Sequence, residues 1–188
     1  GYPLLSSKEY LQTGAKSEKL NFVSICLDRL SKKITQRLKQ DPTIVIIIDT
    51  NNNNAIAEKR TFFSKLINEN IFNPVIMRRD YKNLSRDMLL VESSVELGSI
   101  LLDGLGDGLF ISAASKCSHN EIRKAGFDIL QATRTRISKT EYISCPSCGR
   151  TQFDLEETTA KIRAATSHLK GLKIGVMGCI VNGPGEMA

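Results

Sequence analysis

Two of the five cysteines in this sequence, Cys145 and Cys148, form a Cys-x-x-Cys pair with Pro146 inside it and Gly149 directly after. At that spacing a tight turn lets both sulfurs point to one side while backbone amides face them, so the pair can chelate a metal ion or cluster. Taken alone, the pair leaves three chemistries open: thiolate coordination, a redox dithiol, or structural thiols. A thioredoxin-type dithiol sits at the start of a helix. Here the next helix signal, Asp154 followed three residues on by Glu157, comes several residues later. Near the chain end the stretch GCIVNGPGE, residues 178–186, adds a third thiol, Cys179, and a carboxylate, Glu186. Between them Asn182, Gly183, Pro184 and Gly185 form a loop whose glycines let backbone approach a bound group closely. Thiolates favour zinc or iron–sulfur clusters. One oxygen ligand at a fourth corner suggests a site meant to open, because closed structural zinc sites more often take four Cys or His.

For these groups to converge, the elements between them must return the chain to its starting edge. Residues 141–144 read as a strand ending at Cys145. The capped helix opened by Asp154 runs to about Leu169 and stops at Gly171, and Lys173–Met177 reads as a strand delivering Gly178 and Cys179. If both strands run parallel, this strand–helix–strand unit brings their ends together at one edge. Cys26 reads as a core residue, since free cysteine is commonly buried as a small hydrophobe, and Cys117 as a loop residue. His119 and His168 read as loop and helix-surface residues without metal-ligand spacing.

Upstream, the chain alternates between two periodicities. Phe22–Leu38 suggests a strand leading into a helix. Thr43–Thr50 is a β-branched run of the kind buried on both faces of a parallel sheet. The asparagines of residues 51–54 break it, with Asn54 as the expected cap of a helix over Ala55–Asn68 whose apolar positions are Ile56, Phe63 and Ile67. Pro74–Met77 is expected as a strand, Arg78–Arg86 as a polar link, Leu89–Val91 as a strand and Val95–Leu102 as a helix. Leu109–Ser112 completes the expected strands, ahead of a helix from about Asn120 to Ala132 carrying Ile122, Ala125, Ile129 and Ala132 on one face. Strand–helix units in this order indicate an α/β fold with a parallel layer or a (β/α) barrel. A boundary near Ile137–Lys139 separates that layer from the cysteine-bearing module.

Composition sets the class. The 188 residues are 41% hydrophobic and 24% charged, as expected of a soluble, foldable chain, and no apolar run approaches a membrane span. The start, GYPLLSSKEYLQTG, lacks a charged-then-apolar export pattern, so a reducing cytoplasmic setting is expected, in which cysteines serve metal or redox chemistry rather than disulfides. The net charge of +6 is compatible with nucleic acid, an acidic membrane surface or a phosphorylated small molecule. The positive residues are scattered, dense only between Leu30 and Lys39, which reads as a solvated helix face.

Taken together, ISCPSCGRTQFDL, a capped helix and IGVMGCIVNGPGE resemble the 4-hydroxy-3-methylbut-2-enyl diphosphate synthase family, iron–sulfur enzymes of the non-mevalonate isoprenoid pathway. The stretches VESSVELGS and TRISKTEYISCPSCGRT are especially similar to the long form known from plants and chlamydiae, which carries an inserted domain. ELGSILLDGLGDGLFIS and the helix containing GFDIL resemble the last units of the family's (β/α)8 barrel.

The resemblance implies three parts: residues 1–87 as an inserted α/β domain, 88–136 as the closing part of the barrel, and 137–188 as the beginning of a cluster domain of ferredoxin/sulfite-reductase-like α+β fold. It also implies that Cys145, Cys148 and Cys179 ligate a [4Fe-4S] cluster, with Glu186 on the fourth iron as the catalytic, replaceable ligand. The implied reaction is the two-electron reduction of 2-C-methyl-D-erythritol 2,4-cyclodiphosphate, with ring opening and loss of water. Ser112 and Asn182 match substrate-side residues of the family, and Phe110 stands where shorter members carry an arginine.

The implied electron donor is ferredoxin or flavodoxin, the full-length form is a possible homodimer, and neither nucleic acid nor membrane is an expected partner. With too few strand–helix units for a whole barrel, the chain is expected to be a fragment without turnover of its own. A basic zinc-ribbon module that contacts nucleic acid, or a dithiol redox protein, are the rival readings.

Overall fold

The computed structural model describes residues 1–12, 16–50, 52, 54–114 and 117–179, and the chain divides into two compact units, Gly1–Thr135 and Arg136–Ala188. The first unit is α/β. Five strands, β1 (Leu4–Ser6), β2 (Asn21–Ile25), β3 (Ile44–Ile48), β4 (Val75–Lys82) and β5 (Gly108–Ala114), lie in the spatial order 1-2-3-4-5, and every neighbouring pair is parallel. Parallel neighbours need a crossover each. These are α1 (Ser7–Gln12), α2 (Lys32–Gln40), α3 (Ala55–Asn68), and a long helical stretch made of α4 (Arg86–Ser93), a π-helical turn (Ser94–Gly98) and α5 (Ser99–Leu102); α6 (His119–Ala132) follows β5.

Strands taken in sequence order with right-handed crossovers put their helices on one face of the sheet. The burial pattern agrees. Val23 and Ile25 of β2, Ile44, Ile46 and Ile48 of β3, and Val75 and Met77 of β4 are buried in one continuous core with Phe62, Phe63, Leu66, Leu97, Ile100 and Ile129 of the helices. Alternate positions on the other face, such as Phe22, Ser24, Arg78 and Asp80, are half-exposed. Register is fixed by this alternation, because a one-residue slip would turn each apolar set to the wrong face. Both Ile48↔Met77 on the covered face and Asp80↔Ser112 on the open face follow from it. Residues 87 and 88 lie in the helical crossover that joins the neighbouring strands β4 and β5.

The structure departs from sequence expectation in identifiable ways. Leu89–Val91 is not a strand but part of α4: Ser85 caps that helix by accepting from the Met88 amide at 3.3 Å, and only Leu89 of the three turns into the core. Three consecutive apolar residues carry no period, so the cap decides. The expected polar link after Met77 is strand as far as Lys82, in register with β5 through Lys82↔Ala114. Asn54 precedes α3 but makes no side-chain cap bond, and Asn51 and Asn53 lie outside the described residues. The buried face of α3 is Ala55, Lys59, Phe62, Phe63 and Leu66, whereas Ile67 is exposed. A short strand and helix at residues 4–12 were not expected. Their signal is the reciprocal pair in SSKE, in which the Ser6 amide donates to Glu9 Oε2 at 2.7 Å and the Glu9 amide to Ser6 Oγ at 3.2 Å.

The second unit is smaller. Strands β6 (Glu141–Ser144) and β7 (Lys173–Val176) pair in parallel, joined through α7 (Leu155–Thr166). Asp154 caps α7 as expected, accepting from the Glu157 amide at 2.8 Å. Gly171, at φ +82°, turns the chain back toward β7 in a conformation an L side chain resists. Leu155 and Val176 are buried between helix and sheet.

Candidate functional site

The parallel pairing of β6 and β7 sets the geometry around the cysteines. Register Ser144↔Val176 puts the ends of both strands side by side, and the Cys145 amide continues the ladder by donating to the Val176 carbonyl at 3.3 Å. The strand that ends in Cys145 thus lies against the one that leads to Cys179. Two residues past β7, the Gly178 amide donates to Cys145 Sγ at 3.2 Å. A sulfur that accepts a backbone amide is better able to carry negative charge.

The hydrogen-bonded turn at the pair begins at its second cysteine, running from Cys148 to Thr151. Ser147 sits at φ +68°, the left-handed region, which reverses the chain between Cys145 and Cys148. Thr151 then closes the turn. Its amide donates to the Cys148 carbonyl at 2.9 Å, while its hydroxyl accepts from the Cys148 amide at 3.4 Å. Cys148 is exposed, and Cys145 and Cys179 are half-buried. Beside Cys145 opens a cavity of about 490 Å³, lined by Ser144, Pro146 and Ser147 on one side and by Leu155, Glu156 and Arg163 of α7 on the other. Arg163 lies over the Tyr142 ring at 4.9 Å, so the cavity wall is held from β6.

The structure therefore brings Cys145 to the residue next to Cys179, with Cys148 one turn away and exposed. Among the described residues, no three His, Cys, Asp or Glu side chains are close enough together to hold a metal ion. Asn182 and Glu186 lie outside the described residues. The three thiols fit a thiolate-bound iron–sulfur group in donor chemistry, and the Gly178 amide fits the hydrogen bonding that cluster sulfurs receive. The other thiols stand apart. Cys26 is half-buried rather than enclosed, with burial and the nearby Asp49 pushing its pKa up, and Cys117 rests in a loop with its sulfur 3.8 Å from the Leu84 carbonyl. His119 opens α6 instead of lying in a loop, and His168 is exposed beyond the end of α7.

Ser112 sits on β5 opposite Asp80 and hydrogen-bonds its carboxylate. Arg78 pairs with the same carboxylate at 2.9 Å and with Asp49 at 3.6 Å, and its guanidinium lies 5.2 Å from the Phe110 ring centre. Burial raises the Asp80 carboxyl, but hydrogen bonds from Ser112 and Arg78 and the Arg78 charge outweigh it, so its pKa falls below the usual value. Arg78 of β4 thus places a cation beside Phe110 on the neighbouring strand.

A second polar group, unforeseen from sequence, lies on the covered face. Arg79 donates to the carbonyls of Thr50 (3.1 Å) and Asn52 (3.2 Å) and pairs with Glu96 of the π-helical turn at 2.9 Å; Glu96 also accepts from the Tyr81 hydroxyl at 3.0 Å. Lys59 is fully buried beside them, and its ammonium has no hydrogen-bond partner among the described residues. Burial first, then the Arg79 charge, push its pKa down to about 8 against the pull of Glu96, Glu58 and Asp49. The helical period of Ala55, Lys59 and Phe62 was the one signal that could have found it.

Residues 141–188 match the family model of the GcpE protein C-terminal domain. The whole chain is 44% identical over 187 residues to a Bacteroides thetaiotaomicron protein named 4-hydroxy-3-methylbut-2-en-1-yl diphosphate synthase (flavodoxin), covering 100% of this chain and 30% of the relative. Proteins of the same name from Parabacteroides distasonis (48% over 169 residues; 90% of this chain, 28% of the relative) and Protochlamydia amoebophila (39% over 182 residues; 97% and 27%) match similarly. The chain thus spans less than a third of the length of these relatives. Along its length the chain is similar to one stretch of the 4-hydroxy-3-methylbut-2-en-1-yl diphosphate synthases, and the match to the GcpE C-terminal domain model is confined to residues 141–188.

Proposed function

We propose that this chain supplies the beginning of the cluster domain, and an adjoining α/β layer, of an iron–sulfur reductase of isoprenoid biosynthesis that converts 2-C-methyl-D-erythritol 2,4-cyclodiphosphate to 4-hydroxy-3-methylbut-2-enyl diphosphate. The observation that carries this reading is the meeting of Cys145 with the Gly178–Cys179 segment at the ends of two parallel strands. Cys145, Cys148 and Cys179 would hold a [4Fe-4S] cluster, with Glu186 as the replaceable fourth ligand. Such a cluster supplies electrons singly and offers one iron with an exchangeable position.

The protein's own part is positional. The β6–β7 ladder sets the ends of the two strands side by side, and the Gly178 amide donates to the sulfur of Cys145. Ser112 and Asn182 are the substrate contacts of this reading. Ser112 would exchange its Asp80 bond for a diphosphate oxygen, with Arg78 as the adjacent cation. Sequential parallel strands with all helices on one face have the winding of a (β/α) barrel wall, and the unbroken sheet supports reading residues 1–87 and 88–136 as one such layer. Residues 137–188 then begin a ferredoxin/sulfite-reductase-like domain. Flavodoxin, which the relatives' names carry, or ferredoxin is the donor. A reducing cytoplasm keeps the thiols free. In the full-length protein a homodimer would let the layer of one subunit meet the cluster domain of another.

Anaerobic purification followed by iron, sulfide and zinc analysis tests the reading. A brown protein with iron and sulfide in equal amounts is expected. A colourless zinc protein would instead establish a structural ribbon, and a metal-free protein with a reducible disulfide would establish a dithiol.

A further inference from the structure

Gly178 is not a turn glycine. Its φ lies outside the left-handed region, so conformational freedom does not explain it; space does. A Cβ at this position would fall on the Thr151 hydroxyl, 2.9 Å from its Cγ2 and 3.1 Å from its Cβ. Separations under about 3 Å force something to move. Thr151 cannot easily yield, since its hydroxyl is engaged by the Cys148 amide at 3.4 Å and its own amide by the Cys148 carbonyl at 2.9 Å. The backbone of Gly178 is thus held between Thr151 on one side and Cys145 Sγ, 3.2 Å from its amide, on the other.

We infer that Gly178 and Thr151 form a lock that couples the Cys-x-x-Cys turn to the end of β7, so that the absence of a side chain at 178 sets the amide–sulfur hydrogen bond on Cys145 and, with it, the binding strength of the thiol site for a soft metal. Thr151 is a positioning residue in this arrangement. One face of it ties Cys148; the other gauges how near the strand carrying Cys179 comes. The inference rests on the reading that Cys145, Cys148 and Cys179 bind a metal group together, but the lock itself is a feature of the chain without metal. Amide donors to ligand atoms are outer-shell partners, and losing one typically weakens metal binding by about tenfold or more.

Two readouts on the 188-residue chain separate the lock from the metal reading. The first is hydrogen–deuterium exchange of the backbone amide at position 178 in the reduced, metal-free protein. The second is the Co²⁺ dissociation constant, followed by the sulfur-to-cobalt charge-transfer absorbance. Gly178→Ala is expected to speed exchange at 178 and to weaken Co²⁺ binding about tenfold or more. In a Thr151→Ala background, where the obstructing hydroxyl and methyl are gone, the same change is expected to have little further effect on either readout, the non-additivity of residues in contact. If Gly178→Ala fails to fold, recovery of folding in the double variant supports the clash, and failure of both variants contradicts it. Equal effects of Gly178→Ala with and without Thr151, or no effect on exchange, overturn the lock. Absence of any Co²⁺–thiolate band in the unaltered chain overturns the metal reading alone, and the exchange data still decide the lock.

Discussion

Lys59 is buried with no hydrogen bond to its ammonium among the described residues, and the cost of that burial depends on pH. Lys59 has a folded-state pKa of about 8 against an ordinary value of 10.5, so its charged form is disfavoured in the folded chain. The penalty is fully present below pH 8, fades as pH rises toward 10.5, and is gone above that, where both states are neutral. Stability from this group therefore rises with pH across that window, because the unfolded chain there binds more protons than the folded one. Replacing the group removes the dependence. Lys59→Met is expected to raise unfolding free energy at pH 7 by about 2–3 kcal/mol, and to flatten the rise between pH 8 and 9.5 seen in urea titrations of the unaltered chain. At this scale the sequence was informative where chemistry is local: the Cys145–Cys148 spacing needs only a turn to be meaningful. It was silent on Asp80 beside Ser112, a pair made by strand register across about thirty residues of chain, and on Arg79 near Lys59, which helix-on-sheet packing brings together.

Elements were legible where period and cap agreed. The helix opened by Asp154 starts where its capping residue puts it and ends at Thr166, short of the expected Leu169, and the chain returns to a parallel β7 as the strand–helix–strand order implied. Asp154→Ala removes the acceptor for the Glu157 amide and a favourable charge at the helix start. It is expected to cost about 1 kcal/mol, measured as a lower urea midpoint with an unchanged slope. Where apolar residues ran together without period, as at Leu89–Val91, strand and helix could not be separated, and Ser85 settled the matter through its hydrogen bond to the Met88 amide. The π-helical turn after it has no sequence signature in Ser94–Gly98, yet it carries Glu96 to both Arg79 and Tyr81.

On the scale of the molecule, the five strands in sequence order form a layer whose helices share one face, and the cysteine module is a compact unit of its own. The fold class was legible because parallel strands announce themselves as apolar runs separated by helical periods. The pairing of β4 with β5 was not, since only their register reveals it. Among the described residues, no helix is long and apolar enough to cross a membrane. The chain covers 30% of the Bacteroides thetaiotaomicron relative. No product is expected from this polypeptide with the cyclic diphosphate and reduced flavodoxin, assayed by chromatography of the organic diphosphates, whereas detectable turnover would show that these residues suffice.

The central claim is that Cys179 joins the Cys145–Cys148 pair in one metal group. Its most direct test is the iron bound per chain after anaerobic reconstitution with iron and sulfide, compared between the unaltered chain and Cys179→Ser. Convergence of the three thiols requires about four irons in the former and nearly none in the latter. Equal iron in both chains would contradict it.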